Sequence, residues 1–301
     1  MRFEDEKPPL ALIAGPTASG KSGYAVKLAR QVEDSGRRAV ILNADSAQVY
    51  RDLLILSARP TEDDMGGIEH RLFGAWDGTV ACSAADWAQA AKVEITAIHA
   101  NGGVPILVGG TGLYLRTLLD GIAPVPAIDP AVRNEIRAMP QNDARAALEI
   151  EDAQSAAKLD PADSARTMRA LEVVRSTGKP IDYWRSEKRG GIGDHVTLDA
   201  RILLPERQIL YERCDHRFAA MIENGAVAEV ETLLERKLDP ALPVMRAIGV
   251  RQITAFLNKT ISRQTAVELG QRATRQYAKR QYTWFRRQPP PEWQRLESLD
   301  G

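Results

Sequence analysis

Eight consecutive residues, Gly15-Pro16-Thr17-Ala18-Ser19-Gly20-Lys21-Ser22, constrain this chain more than any other feature. They satisfy the G-x-x-x-x-G-K-[ST] pattern of a phosphate-binding loop at every fixed position. The apolar run Leu10-Ala11-Leu12-Ile13-Ala14 ahead of them reads as a buried strand, and Ala25, Val26, Leu28, Ala29 and Val32 behind them recur at helical spacing. Strand, loop and helix in that order are what the motif requires. The glycines let backbone N–H groups turn inward on an anion, and the helix N-terminus adds its dipole. Lys21 supplies a point charge, and Ser22 places a hydroxyl for Mg2+. The loop implies a polyphosphate ligand and leaves the reaction open.

The same alternation continues downstream. Ala39-Val40-Ile41-Leu42 and Val104-Pro105-Ile106-Leu107-Val108 read as strands, with a helix over Ala84 to Ala100 between them and Ser83 as its N-cap. Strand and helix in alternation predict an α/β fold, a parallel sheet flanked by helices with right-handed crossovers. Ligands in such sheets sit at the carboxyl ends of the strands, so the polar or glycine-rich motifs that follow these three strands are expected to face one crevice. Near residue 124 the pattern changes. Pro124, Pro126 and Pro130 precede a charged, Ala-rich helical stretch to about Arg185, and a polar loop with Gly190, Gly191 and Gly193 follows. Val196 to Leu204 then reads as a strand rejoining the sheet. The expected organisation is a core of residues 1–124 and 196–301 with an inserted helical subdomain at 125–195. Glu206 to Lys237 and Thr265 to about Arg287 read as helical, and Pro289 to Gly301 as a tail.

Composition narrows the function classes. Lys+Arg and Asp+Glu are both 40, so a nucleic-acid surface has to be local rather than global. Cys82 and Cys214 lack metal-ligand spacing and read as small buried hydrophobes. Met1 to Pro9 is charged and lacks the apolar stretch of a signal peptide, and no run of about 18 apolar residues marks a membrane span. The expectation is a cytoplasmic protein.

Asp45 ends the second strand, where an acid serves as general base or Mg2+ ligand, or bonds its own turn. Thr111 follows the pair Gly109-Gly110, which permits close backbone approach to a ligand or makes a tight strand-to-helix turn. The third strand ends in glycine rather than an acid, which argues against an ordinary ATPase. Gln271 to Gln288 carries Arg272, Arg275, Lys279, Arg280, Arg286 and Arg287 with no acid, and Arg272, Arg275, Lys279 and Arg286 share one helical face. Such a stripe suits phosphate or nucleic acid, with Tyr277 and Trp284 turned to the core. Arg166 to Arg189 is also basic, with seven Lys/Arg against three acids. Arg246 and Arg251 flank Gly249, as a helix start with exposed charges or as an anion clamp.

Taken in order, these motifs resemble one family. Gly15 to Ser22, Asp45-Ser46-Ala47-Gln48-Val49-Tyr50, Gly109-Gly110-Thr111-Gly112-Leu113-Tyr114, Arg166-Thr167-Met168-Arg169-Ala170-Leu171-Glu172-Val173, Arg246 to Gln252 and Ala273 to Gln281 together resemble the bacterial tRNA dimethylallyltransferases, over roughly residues 10–288. The resemblance implies transfer of a dimethylallyl group from dimethylallyl diphosphate to N6 of the adenosine immediately 3′ of the anticodon. It casts Asp45, Thr111, Lys21 and Thr17 as catalytic. It gives the diphosphate to Gly15, Pro16, Thr17, Ala18, Ser19, Gly20, Lys21 and Ser22, with Arg251 and Arg275. It gives the tRNA to Asp45, Ser46, Ala47, Gln48, Thr111, Arg133, Ala165, Arg166, Thr167, Met168, Arg169, Arg246, Ala247, Ile248, Gly249, Val250, Arg251 and Gln252. Mg2+ on Ser22, an anticodon stem-loop partner and a monomer complete the expectation. The chain departs from the family pattern at Val250, usually Tyr, at Cys82, usually aromatic, and at Ala165, usually polar.

Three other readings use parts of the same motifs. An adenylate isopentenyltransferase shares the loop but needs no grip on RNA. A small-molecule kinase needs the missing acid. A non-catalytic RNA-binding module leaves the phosphate loop and Asp45 without a task.

Overall fold

The computed structural model describes residues 7–297. Its centre is a six-stranded, all-parallel sheet of β1 (Pro9–Ala14), β2 (Ala39–Asn43), β3 (Glu69–Arg71), β4 (Val104–Gly109), β5 (Thr197–Leu203) and β6 (Gln294–Leu296), in the order β3-β2-β4-β1-β5-β6. The four long strands are the apolar runs of the sequence. β1, β2 and β4 are buried along nearly their whole length, as strands covered on both faces must be. β3 and β6 were not legible: Glu69-His70-Arg71 and Gln294-Arg295-Leu296 are short and charged, the composition that protects a sheet edge from further pairing. The expected tail from Pro289 therefore contains a strand paired with β5. Residues 298–301 of that stretch lie outside the described residues.

The helices follow their caps. Ser83 and Asp86 close a capping box at the start of Ala84–Ala100. Ser262 caps Arg263–Arg287. The stretch read as one helical region from Glu206 is two helices, Arg207–Glu223 and Ala226–Glu235, broken at Gly225, whose φ of 105° no β-carbon residue adopts easily.

The chain separates into two units, 1–118 with 192–301, and 119–191. The second unit begins and ends earlier than the sequence limits of 125 and 195. Ile122 and Arg189 form an antiparallel bridge that joins its two ends, so the proline-rich segment lies inside it. Its helices, Pro130–Ala138, Gln141–Glu151, Ala153–Lys158, Ser164–Thr177 and Ile181–Arg185, close on a core of Ile136, Leu148, Leu171 and Val173. No helix among the described residues is long and apolar enough to cross a membrane.

Candidate active site

Three loops leave the carboxyl ends of the neighbouring strands β1, β4 and β2. The first is the phosphate loop. Gly20 takes φ 89° at the N-cap of the helix Lys21–Asp34, and no side chain caps that end, so its leading amides stay open to an anion. The Ser19 hydroxyl is buried inside the loop with no partner. Lys21 donates to the Pro16 carbonyl at 3.3 Å. Burial lowers its pKa to about 8, with Asp45 opposing the shift and Arg217 adding to it. An anion beside Lys21 would favour the charged form that burial disfavours.

Asp45 is 7% exposed. One of its carboxylate oxygens accepts from the Ala47 amide at 3.0 Å, and the Asn43 side chain braces its backbone through the Asp45 amide and carbonyl, at 2.8 and 3.1 Å. It is both a turn Asp and a residue of the site, because its second oxygen is left for another proton donor. Thr111 stands behind it: its hydroxyl accepts from the Ser46 amide at 2.9 Å and donates to the Ser46 hydroxyl at 3.2 Å. Burial first, then the facing Asp45 carboxylate, push the Tyr277 phenol well above its ordinary value, so it stays protonated.

The glycines at the end of β4 are packed tightly against the protein. A β-carbon at Gly109 would collide with the Ala44 backbone, and one at Gly110 with Gln281. Gln281 ties the loops together. Its Oε1 accepts from the Thr17 amide at 2.7 Å and its Nε2 donates to the Gly110 carbonyl at 2.8 Å. Gln281→Leu leaves both backbone groups without partners in a buried place, each costing about 1–3 kcal/mol. Urea unfolding is expected to show a loss of about 2–4 kcal/mol, and an unchanged midpoint would contradict the clasp.

Beside these loops lies a cavity of about 360 Å3. Thr17, Asp45, Ser46 and Arg217 give it a polar side, and Leu56, Phe218, Met221 and Ile248 an apolar one. Arg217 donates to the Thr17 hydroxyl, and burial lowers its pKa. Sequence reasoning missed Arg217, although it sits beside the buried stripe Leu210, Cys214, Phe218 and Ile222 of its helix, a position that signals an inward-facing cation.

The other expected residues divide. Ala47, Arg246, Ala247 and Ile248 line the cavity. Gln48 does not: its Nε2 is taken by the carbonyls of Ser57 and Ala58, at 3.1 and 2.7 Å. Gly249 and Gln252 start the helix Val250–Leu257, with Gln252 accepting from the Gly249 amide, while Val250 is buried and Arg251 exposed away from the cavity. Arg275 is paired with Asp215 and lies outside the cavity lining; Arg280 and Tyr277 of its helix reach the lining instead. Tyr277, assigned to the core from its spacing, is therefore a site residue. Trp284 does pack inward, against Gly112. Arg272, Lys279 and Arg286 form the exposed part of the basic face.

Of the cysteines, Cys214 is the small buried hydrophobe expected. Cys82 is half-buried on the cavity wall, its amide donating to the Tyr50 hydroxyl at 3.1 Å, and burial raises its thiol pKa.

In the helical unit, Arg133, Arg137 and Arg169 gather on the buried carboxylate of Glu172, at 3.9, 3.2 and 3.4 Å, and Arg166 pairs with Asp163. Ala165 lines a small cavity of this unit with Arg166 and Arg169. Met168 packs against the unit's core, and the Thr167 side chain is fully buried, so it cannot present a hydroxyl to RNA.

The family model described as IPP transferase matches residues 48–288. The tRNA dimethylallyltransferase of Erythrobacter litoralis is 64% identical, over 98% of this chain and 93% of that protein. That of Novosphingobium aromaticivorans is 62% identical, over 88% of this chain and 94% of that one. Among solved structures, a full-length tRNA isopentenylpyrophosphate transferase from Bacillus halodurans superposes with a TM-score of 0.69 at 31% identity, covering 96% of this chain and 90% of that one. A eukaryotic dimethylallyltransferase acting on tRNA gives 0.77 at 27% identity, over 92% of this chain and 70% of that one.

Proposed function

The chain belongs to the IPP transferase family, and from that premise we infer that it is a tRNA dimethylallyltransferase. It moves the dimethylallyl group of dimethylallyl diphosphate to N6 of the adenosine 3′-adjacent to the anticodon, releasing diphosphate. The observation that carries the reading is the pairing of a polar side, where Asp45 and Arg217 meet beside Lys21, with an apolar wall in one cavity. A hydrocarbon gains from the wall, an anion from the cations, and a weakly nucleophilic amine from the carboxylate.

The residue roles follow from this chemistry. The bond from the prenyl C1 to the diphosphate oxygen breaks as the bond from N6 to C1 forms. Asp45 takes the amine proton, and Lys21, Arg217 and the open loop amides meet the charge that gathers on the leaving group. Thr111 orients Ser46 next to Asp45 through its two hydrogen bonds. The donors at the loop suit a magnesium ion carried largely by the diphosphate: Ser22 offers a neutral hydroxyl, and no group of three or more His, Cys, Asp or Glu gathers among the described residues. Bound on Ser22, the ion would supply charge neutralisation to the leaving group.

An acid at the end of β4, which a kinase would need, has no room, since Gly109 is backed against Ala44. Transfer of label from dimethylallyl diphosphate to tRNA without ATP is the test, and dependence on ATP hydrolysis would return the protein to the kinase class.

The helical unit supports tRNA over a free nucleotide as acceptor. Its Arg166 and Arg169 are one turn apart and substantially exposed despite their acidic partners. They are proposed to hold phosphates of the anticodon stem-loop, whose target base leaves the stack to reach the cavity. Neutralising both to Gln is expected to weaken tRNA binding and flatten its salt dependence by up to about two phosphate contacts. Dimethylallyl diphosphate binding should be unchanged. Identical salt slopes would remove these arginines from the RNA contact.

A further inference from the structure

The turn Leu54–Ser57 is clamped by groups that the transfer chemistry does not use. Its Leu54 and Ile55 amides donate to Glu229 Oε1, at 2.6 and 2.8 Å, and its Leu56 amide to Glu229 Oε2 at 2.9 Å. Glu229 comes from the helix Ala226–Glu235, far along the chain. At the turn's other end Gln48 binds the Ser57 and Ala58 carbonyls. One carboxylate thus satisfies three amides that point the same way, a charge-assisted contact at the positive end of the turn.

What the clamp holds is the cavity wall. Leu56 and Ser57 line the cavity. A β-carbon at Gly249 would stand 2.6 Å from the tip of Leu56 and 3.2 Å from the Phe218 ring, so Leu56 and Phe218 close together over the Gly249 backbone at that corner. With Met221 and Ile248, these residues form the side of the cavity that only a hydrocarbon would occupy.

We propose that Glu229 is a positioning residue that fixes Leu56, and through it the depth of the apolar wall and the length of the prenyl donor the enzyme uses. The proposal rests on the prenyl-transfer reading and extends it to donor selection. A loosened wall admits a longer tail, whereas the phosphate end, built from Lys21, Arg217 and Thr17, is untouched.

The test uses the full chain and one tRNA acceptor, with dimethylallyl diphosphate and the longer geranyl diphosphate as competing donors. Glu229→Gln keeps the side-chain size but leaves one oxygen for three amides. Leu56→Ala removes the wall directly. Both are expected to shift the ratio of kcat/KM toward the longer donor by about tenfold or more. Affinity for inorganic diphosphate should stay at the wild-type value. An unchanged ratio in Leu56→Ala would overturn the wall, and an unchanged ratio in Glu229→Gln would overturn the clamp. A Glu229→Gln protein that fails to fold, or that loses diphosphate binding, would overturn it too by showing a general structural role. If the wild type moves no dimethylallyl group, the underlying reading fails independently of either variant.

Discussion

Asp45→Asn is expected to lower single-turnover transfer by about 10²–10⁴-fold while tRNA and dimethylallyl diphosphate still bind. The substitution keeps the turn, because an Asn oxygen can still accept from the Ala47 amide as Asp45 does. It removes the one group in the cavity lining able to take a proton from an exocyclic amine at neutral pH. Around Asp45 stand a phenol held protonated, Tyr277, and the cation Arg217, neither of which is a base. A rate within a few-fold of wild type in rapid-quench measurements would show that the amine loses its proton elsewhere.

Lys21→Ala is expected to weaken dimethylallyl diphosphate binding and to lower transfer by about 10²–10³-fold, the usual cost of losing one donor aimed at developing charge. The effect should exceed that of a surface lysine because Lys21 is half-buried in the phosphate loop, where burial lowers its pKa and its charge is less screened by water. Arg217 remains in the variant, so binding should be weakened rather than abolished. Transfer kinetics and competition by inorganic diphosphate both read this out. If binding alone falls and the bound rate is intact, Lys21 holds the ground state only.

Much of the fold lay open in the sequence because parallel strands buried on both faces read as apolar runs, as at β1, β2, β4 and β5. The edge strands β3 and β6 carry no such signal, since their charged residues are chosen by solvent and by the need to end the sheet. The loop residues of the site were legible for the same reason as the core strands: phosphate binding demands a fixed local pattern of glycines, Lys and Ser. Arg217, Tyr277 and Gln281 were not assigned to the site because each is a single residue on a long helix, and only packing decides which face of that helix meets the strand ends. Arg251 and Arg275 are the opposite case. Their charge suggested an anion, but Arg251 is exposed away from the cavity and Arg275 is engaged by Asp215. Gln48 shows how one residue can match a motif and yet spend its side chain on a neighbouring turn.

A phosphate loop, a strand-end carboxylate and an apolar wall are proposed here to serve alkyl transfer to a nucleotide of tRNA. Parallel incubations of the purified protein with labelled dimethylallyl diphosphate and either tRNA or AMP test that role most directly, followed by nucleoside analysis of the acceptor. Label is expected in tRNA alone, recovered as N6-dimethylallyladenosine from the position 3′-adjacent to the anticodon. Label in AMP, or none in tRNA, would contradict that role.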